Sequence, residues 1–114
     1  MESYILLLHE TAMTPDISPE EMQAIIGRYK AWGQKMREAG RMAGGNKLED
    51  RTGRVVRGEG AGMRVTDGPY AETKDVVGGY FVILAESYED AVEWSKDCPH
   101  LSFGTIEVRK IQVT

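Results

Sequence analysis

The sequence predicts an α+β fold of the ferredoxin-like kind: a split βαβ repeat with an antiparallel four-stranded sheet, both helices on one face, and an inserted hairpin. Three observations predict it. Two apolar runs, residues 3–8 and 77–85, have the length and content of buried strands. Each is followed by a capped, amphipathic helical stretch. The order strand–helix–strand then recurs on either side of a glycine-rich hairpin. At 114 residues with 41% apolar content, the chain is read as one domain, residues 1–114, able to bury a core despite 28% charged residues.

Residues 3–8 carry no polar alternation and read as a strand buried on both faces or nearly so. Helix 1 opens at Ser18 as N-cap, with Pro19 at the first helical position and Glu21 completing a capping box. Met22, Ile25, Ile26, Tyr29, Trp32 and Met36 recur at three- and four-residue steps and predict one buried stripe. Gly40 supplies the left-handed stop. Residues 41–48 form a weak strand. Residues 54–57 and 63–66 flank Gly58-Glu59-Gly60-Ala61-Gly62 as a hairpin. After the strong strand at 77–85, Ser87 caps a second helix, with Asp90 at the N3 position. Ala91, Val92, Trp94, Ser95 and Cys98 mark its inward side, and Pro99 ends it. The last strand runs from about residue 105 to 113. Ile106 and Val108 share one parity and Ile111 and Val113 the other, so a bulge near Arg109-Lys110 is expected.

Both helices fall on one face of the sheet, and the other face needs a cover. A second subunit packing sheet to sheet is the simplest solution, so a two-fold homodimer is expected.

Several function classes are disfavoured. A net charge of −4 and a pI near 5.2 argue against non-specific nucleic-acid binding. No apolar run approaches the roughly 18 residues needed to span a bilayer, so no membrane role is read. The N-terminus lacks the basic flank of a leader peptide and reads as a strand, which places the protein in the cytoplasm. Cys98 is the single cysteine; no internal disulfide is possible, and a half-buried structural thiol is expected. The charge is uneven: residues 41–64 carry six bases against three acids, and residues 65–114 nine acids against four bases. That basic hairpin, Arg64 included, is either a solvated surface or a docking surface for an anionic ligand or acidic partner.

The glycine-rich tip lacks the Gly-Lys-Ser/Thr ending and following helix of a phosphate loop, and no cofactor motif is read. His9 and His100 have no partner at metal-ligand spacing, so no metal site is predicted. Polar groups concentrate instead at Thr66-Asp67-Gly68-Pro69-Tyr70-Ala71-Glu72-Thr73-Lys74. Asp67 before Gly and Pro favours a side-chain-to-backbone turn. Tyr70 offers a hydroxyl, Glu72 a base or anchor, and Lys74 a cation. The segment is either a plain turn or a ligand-binding loop for a small polar or anionic molecule.

The segment Asp67-Gly68-Pro69-Tyr70-Ala71-Glu72-Thr73-Lys74 resembles the YCII-related proteins. So do Gly78-Gly79-Tyr80, Glu89-Asp90-Ala91-Val92-Glu93-Trp94, Cys98-Pro99 and Ile106-Glu107-Val108-Arg109. The resemblance is closest to the branch named for its Asp-Gly-Pro-Phe motif, with Tyr70 in place of the naming Phe. It implies a dimeric α+β barrel. It also implies that some relatives associate with extracytoplasmic-function sigma factors, and that a few act as lyases or dehalogenating enzymes on cyclic compounds. In the wider family a histidine on the first helix pairs with an aspartate as an acid–base dyad; residues 18–39 here contain no histidine.

Two readings of function follow. In the first, a binding module holds a small polar or anionic ligand beside the loop through Arg64, Asp67, Tyr70, Glu72 and Lys74, with a regulatory role. In the second, an enzyme performs cofactor-independent lyase or isomerase chemistry, with Asp67 paired to His9 or His100 as general base.

Overall fold

The computed structural model describes residues 1–11, 17–68 and 75–114. The elements run β1 (Glu2–Glu10), α1 (Pro19–Glu38), β2 (Met42–Lys47), β3 (Arg54–Arg57), β4 (Arg64–Asp67), β5 (Val76–Ala85), α2 (Tyr88–Ser95) and β6 (Thr105–Lys110). A short 3₁₀ turn, Pro99–Ser102, joins α2 to β6. The main sheet has the order β2-β5-β1-β6, and every neighbouring pair is antiparallel. The chain is therefore the α+β, ferredoxin-like arrangement that the element order predicts.

The local signals act as their chemistry requires. Ser18 accepts the backbone N–H of Glu21 at 3.1 Å, and Glu21 reaches back to the Ser18 hydroxyl. Ser87 does the same for Asp90 at the start of α2. Acidic residues sit in the first turn of α1 and basic ones in its last, complementing the helix dipole. Gly40 ends α1 at φ +71°, a conformation that costs other residues dearly.

Side chains on a strand alternate between faces, and in β1 this alternation sorts the whole domain. Tyr4, Leu6 and Leu8 turn inward and join Trp32, Met36, Ile83, Ala85, Ala91 and Cys98 in the buried core. Trp32 packs on Phe81 with ring centroids 4.9 Å apart. Arg41 clamps the α2 end of this layer: its guanidinium meets Asp90 at 2.8 Å and lies over the Trp94 ring. The Glu86 N–H and Arg41 together hold the Asp90 carboxyl below its ordinary pKa.

The opposite face carries Ile5 and Leu7 from β1, only half-buried. β1 is thus covered on one face, not two. Both helices lie on that covered face, as the single core cluster requires.

Three other expectations change. The stripe on α1 is buried only in its second half, at Trp32 and Met36, which join the core; Met22 and Ile26 are exposed. Val92 of α2 is likewise exposed. The parity conflict in the last strand is resolved without a bulge. β6 pairs with β1 in unbroken register from Thr105 to Lys110, and Ile111 and Val113 lie beyond its end. The register irregularities fall instead at Leu8/His9 against β5 and at Met42/Gly44 in β2.

No described helix is long and apolar enough to cross a membrane. Urea unfolding checks the core assignment: Ile83→Ala is expected to cost about 2–5 kcal/mol, and Met22→Ala less than about 0.5 kcal/mol.

Candidate functional site

β1, β5 and β6 bring together residues distant in the sequence on the open face of the sheet. Leu7 lies opposite Tyr80 on β5 and Glu107 on β6; Ile5 lies opposite Val82 and Arg109; His9 lies opposite Thr105. By alternation these residues share the face that the helices do not cover. Half-buried apolar side chains floor it, and polar groups crowd the end where β1 finishes. There His9 Nε2 meets the Glu107 carboxylate at 2.9 Å, across the diagonal of the β1–β6 ladder. The Asp75 carboxylate, just ahead of β5, stands 3.7 Å from His9 Nδ1. On the β2 side Asn46 donates to the Tyr80 hydroxyl at 3.1 Å.

This arrangement has a definite chemical capacity. A carboxylate only accepts, so Nε2, which meets Glu107, carries a proton; in the neutral tautomer this fixes, Nδ1 holds the lone pair. A carboxylate that fixes a histidine's tautomer and orientation is the recurring support of a general base. The His9 side chain is 21% exposed, so it is packed enough to be oriented and open enough to be reached.

His100 plays a different part. It is 4% exposed, and both ring nitrogens are taken. Its Nε2 lies 2.8 Å from the backbone carbonyl of His9, which accepts only, so Nε2 carries the proton. The Nδ1 lone pair then accepts from the Tyr29 hydroxyl at 3.1 Å. Burial first, then Cys98 and Glu10 nearby, push the Tyr29 pKa up to about 12. Burial also raises the Cys98 thiol, which is unsuited to act as a nucleophile. Gly104 packs against this link so tightly that a Cβ there would overlap the His9 carbonyl oxygen. His100 holds the backbone of His9, not a substrate.

Asp67 ends β4 with its side chain almost wholly exposed, and its partner is Arg54 at 3.5 Å. Among the described residues the carboxylates within ion-pair distance of His9 are Glu107 and Asp75, not Asp67, and the His100 nitrogens meet the Tyr29 hydroxyl and the His9 carbonyl instead. Arg64 is exposed on the same hairpin. Tyr70, Glu72 and Lys74 lie outside the described residues. Glu107 and Asp75 were missed in the sequence because nothing local marks them; the strand parity of Glu107 with His9 becomes visible only once β1 and β6 are paired.

A hollow of about 600 Å³ lies between α1 and the Pro99–Ser102 turn, lined by Arg28, Trp32, Lys35, Lys96 and Cys98 among others. Its cations are engaged: Lys35 with Asp97, Lys96 with Glu93, and Arg28 over the Phe103 ring. Among the described residues no group of three His, Cys, Asp or Glu side chains is placed to hold a metal.

Comparison with known proteins places these features in context. The family model of the YCII-related domain matches residues 3–113. An uncharacterised protein of Rhizobium meliloti (strain 1021) is 28% identical over 110 residues, covering 94% of this chain and 89% of that protein. Among solved structures, the fold matches 5-chloro-2-hydroxyhydroquinone dehydrochlorinase from Burkholderia phenoliruptrix AC1100, in complex with 2,5-dihydroxybenzoquinone. That match has a TM-score of 0.51 at 14% identity and covers 98% of this chain and 95% of the other.

Two measurements check the histidine roles. Nitrogen-15 NMR of neutral His100 is expected to show the Nε2–H tautomer. His100→Leu should cost about 1–3 kcal/mol by stranding the groups it pairs, and His100→Gln, which keeps an amide donor, should recover part of that loss. The Tyr29 shift sets an alkaline limit. Above pH 10 the unfolded chain releases this phenolic proton while the folded one keeps it, so stability falls from pH 10 through about 12. Tyr29→Phe should flatten that part of the decline in a denaturation series against pH.

Proposed function

We propose that this chain, which belongs to the YCII-related domain family, binds a small polar ligand on the open face of its sheet and exchanges a proton with it through His9. One observation carries the reading: His9 is held by Glu107 at 2.9 Å through Nε2, with the Asp75 carboxylate 3.7 Å from Nδ1. The apolar floor of Ile5, Leu7 and Val82 suits the flat body of a ligand, and Tyr80, Asn46 and Arg109 supply hydroxyl, amide and guanidinium at its edges. A small phenol, enol or hydroxylated quinone has both features and an exchangeable proton.

The acid–base reading thus keeps His9, replaces Asp67 by Glu107 as the orienting carboxylate, and gives His100 a supporting place. His9 lies on a strand, so no helix-borne histidine is needed for such a pair. The similar fold of the dehydrochlorinase, solved with a dihydroxyquinone, makes that ligand a sensible first probe.

Calorimetric titration with 2,5-dihydroxybenzoquinone provides the test. His9→Asn is expected to weaken binding by about tenfold or more, the worth of one hydrogen bond to a charged group. Asp67→Ala should change it by less than about twofold, as an exposed substitution away from the site. Equal binding by wild type and His9→Asn would overturn the assignment.

A further inference from the structure

Strand pairing sets the side chains of the open face in rows across the sheet. Asn46 of β2, Tyr80 of β5, Leu7 of β1 and Glu107 of β6 form one row, each the cross-strand partner of the next. Val77, His9 and Thr105 form the row beyond it, and Gly78 lies unpaired between the two rows at the register shift of β1 against β5. Tyr80 and Glu107 thus flank Leu7 on opposite sides, and His9 is diagonal to both. Diagonal neighbours in an antiparallel pair lie about 7–8 Å apart, which long and aromatic side chains can bridge. Glu107 spans its diagonal and meets His9 Nε2 at 2.9 Å.

Tyr80 is engaged on its other side. Its hydroxyl accepts from the Asn46 amide at 3.1 Å, and among the described residues this is its one hydrogen-bond partner. An amide N–H only donates, so the phenolic proton is left for a further acceptor. A hydroxyl that accepts one hydrogen bond also becomes a stronger donor, because bonds in a chain polarise one another. Tyr80 is half-buried on a strand with neighbours on both sides, so the sheet and not a loop fixes its position. Arg109, the other donor on this face, belongs to a different row, opposite Ile5.

We infer that Tyr80 is the second anchor of the His9 site: a one-ring ligand lies over Leu7 with a hydroxyl toward His9 and a carbonyl oxygen at its opposite end toward the Tyr80 hydroxyl. This rests on the reading of the open face as the ligand site. It narrows the ligand from any small polar molecule to a conjugated ring with hydroxyl and carbonyl functions opposed. In the proton exchange the ligand's O–H bond breaks and the proton passes to the Nδ1 lone pair of His9. The electron pair left on oxygen is shared through the ring to the distal carbonyl oxygen, where the Tyr80 O–H meets the charge that develops. The imidazolium so formed faces Glu107 and Asp75. The proton returns by the same route, so no oxidant or second reactant takes part.

Calorimetric titration with three one-ring probes tests the anchor, after circular dichroism has confirmed the fold of each variant. 4-Hydroxybenzaldehyde carries the two functions at opposite ends, 3-hydroxybenzaldehyde sets them at an angle, and 4-methylphenol lacks the carbonyl. The wild type is expected to bind the first about tenfold more tightly than the other two, the upper worth of one neutral hydrogen bond. Tyr80→Phe keeps the ring and should erase that preference while leaving 4-methylphenol binding unchanged. Asn46→Ala should lower the preference only in part. The phenolate absorbance of bound 4-hydroxybenzaldehyde at neutral pH should also be stronger in the wild type than in Tyr80→Phe. Three results would overturn the inference: equal affinity of the wild type for all three probes, a preference that survives Tyr80→Phe, or equal weakening of all three by Tyr80→Phe, which marks a structural residue. The underlying reading fails separately. Unchanged binding of 4-methylphenol in His9→Asn removes the site itself, whereas weaker binding there, with a preference that survives Tyr80→Phe, removes the anchor alone.

Discussion

The structure depends on one constraint: the alternation of side chains along β1, an interior strand with neighbours on both sides. Tyr4, Leu6 and Leu8 commit one face to the helices and carry the core with them. Ile5, Leu7 and His9 are thereby committed to the other face. A slip of one residue would exchange the two sets, burying His9 under the helices and exposing the core. The register to β5 and β6 follows from that commitment. So does the meeting of His9 with Glu107, a residue 98 positions away.

The two histidines show how a shared chemistry separates by environment. Both sit at the end of a predicted element, and on residue type alone they are equivalent. His100 is drawn into the base of the helix layer, where the Tyr29 hydroxyl and the His9 carbonyl occupy both of its nitrogens. Buried polar atoms need partners, and a ring with both nitrogens satisfied has none left for a ligand. Among the described residues His9 has one carboxylate at bonding distance of Nε2, Glu107, and a second, Asp75, 3.7 Å from Nδ1. The buried histidine steadies the backbone of the accessible one.

Much of the fold was legible in the residues, since its signals are local. The capping boxes at Ser18 and Ser87, the left-handed stop at Gly40 and the strands at residues 3–8 and 77–85 each act within a few residues. The errors arose where packing, not propensity, decides. Periodicity on α1 marks an apolar stripe but not how much of it the core takes up, and Met22 and Ile26 stay exposed. Parity in the last strand was read as a bulge because nothing local marks where pairing with β1 stops. The site was legible only in part. His9 could be picked out as a candidate, whereas Asp67 drew attention through a dense motif and stands on an exposed hairpin beside Arg54. Glu107 and Asp75 acquire meaning only from the sheet.

Binding at His9 requires that a ligand meet the face of the sheet opposite the helices. Methyl and histidine chemical-shift mapping during titration with a small hydroxylated quinone tests this most directly, because Ile5, Leu7, Val82 and Leu84 report one face and Leu6, Leu8, Met36 and Ile83 the other. Shifts centred on His9, Leu7 and Val82, fading toward the core residues, are the expected result. Shifts centred on Met36 and the Trp32–Cys98 hollow, with His9 unmoved, would contradict it.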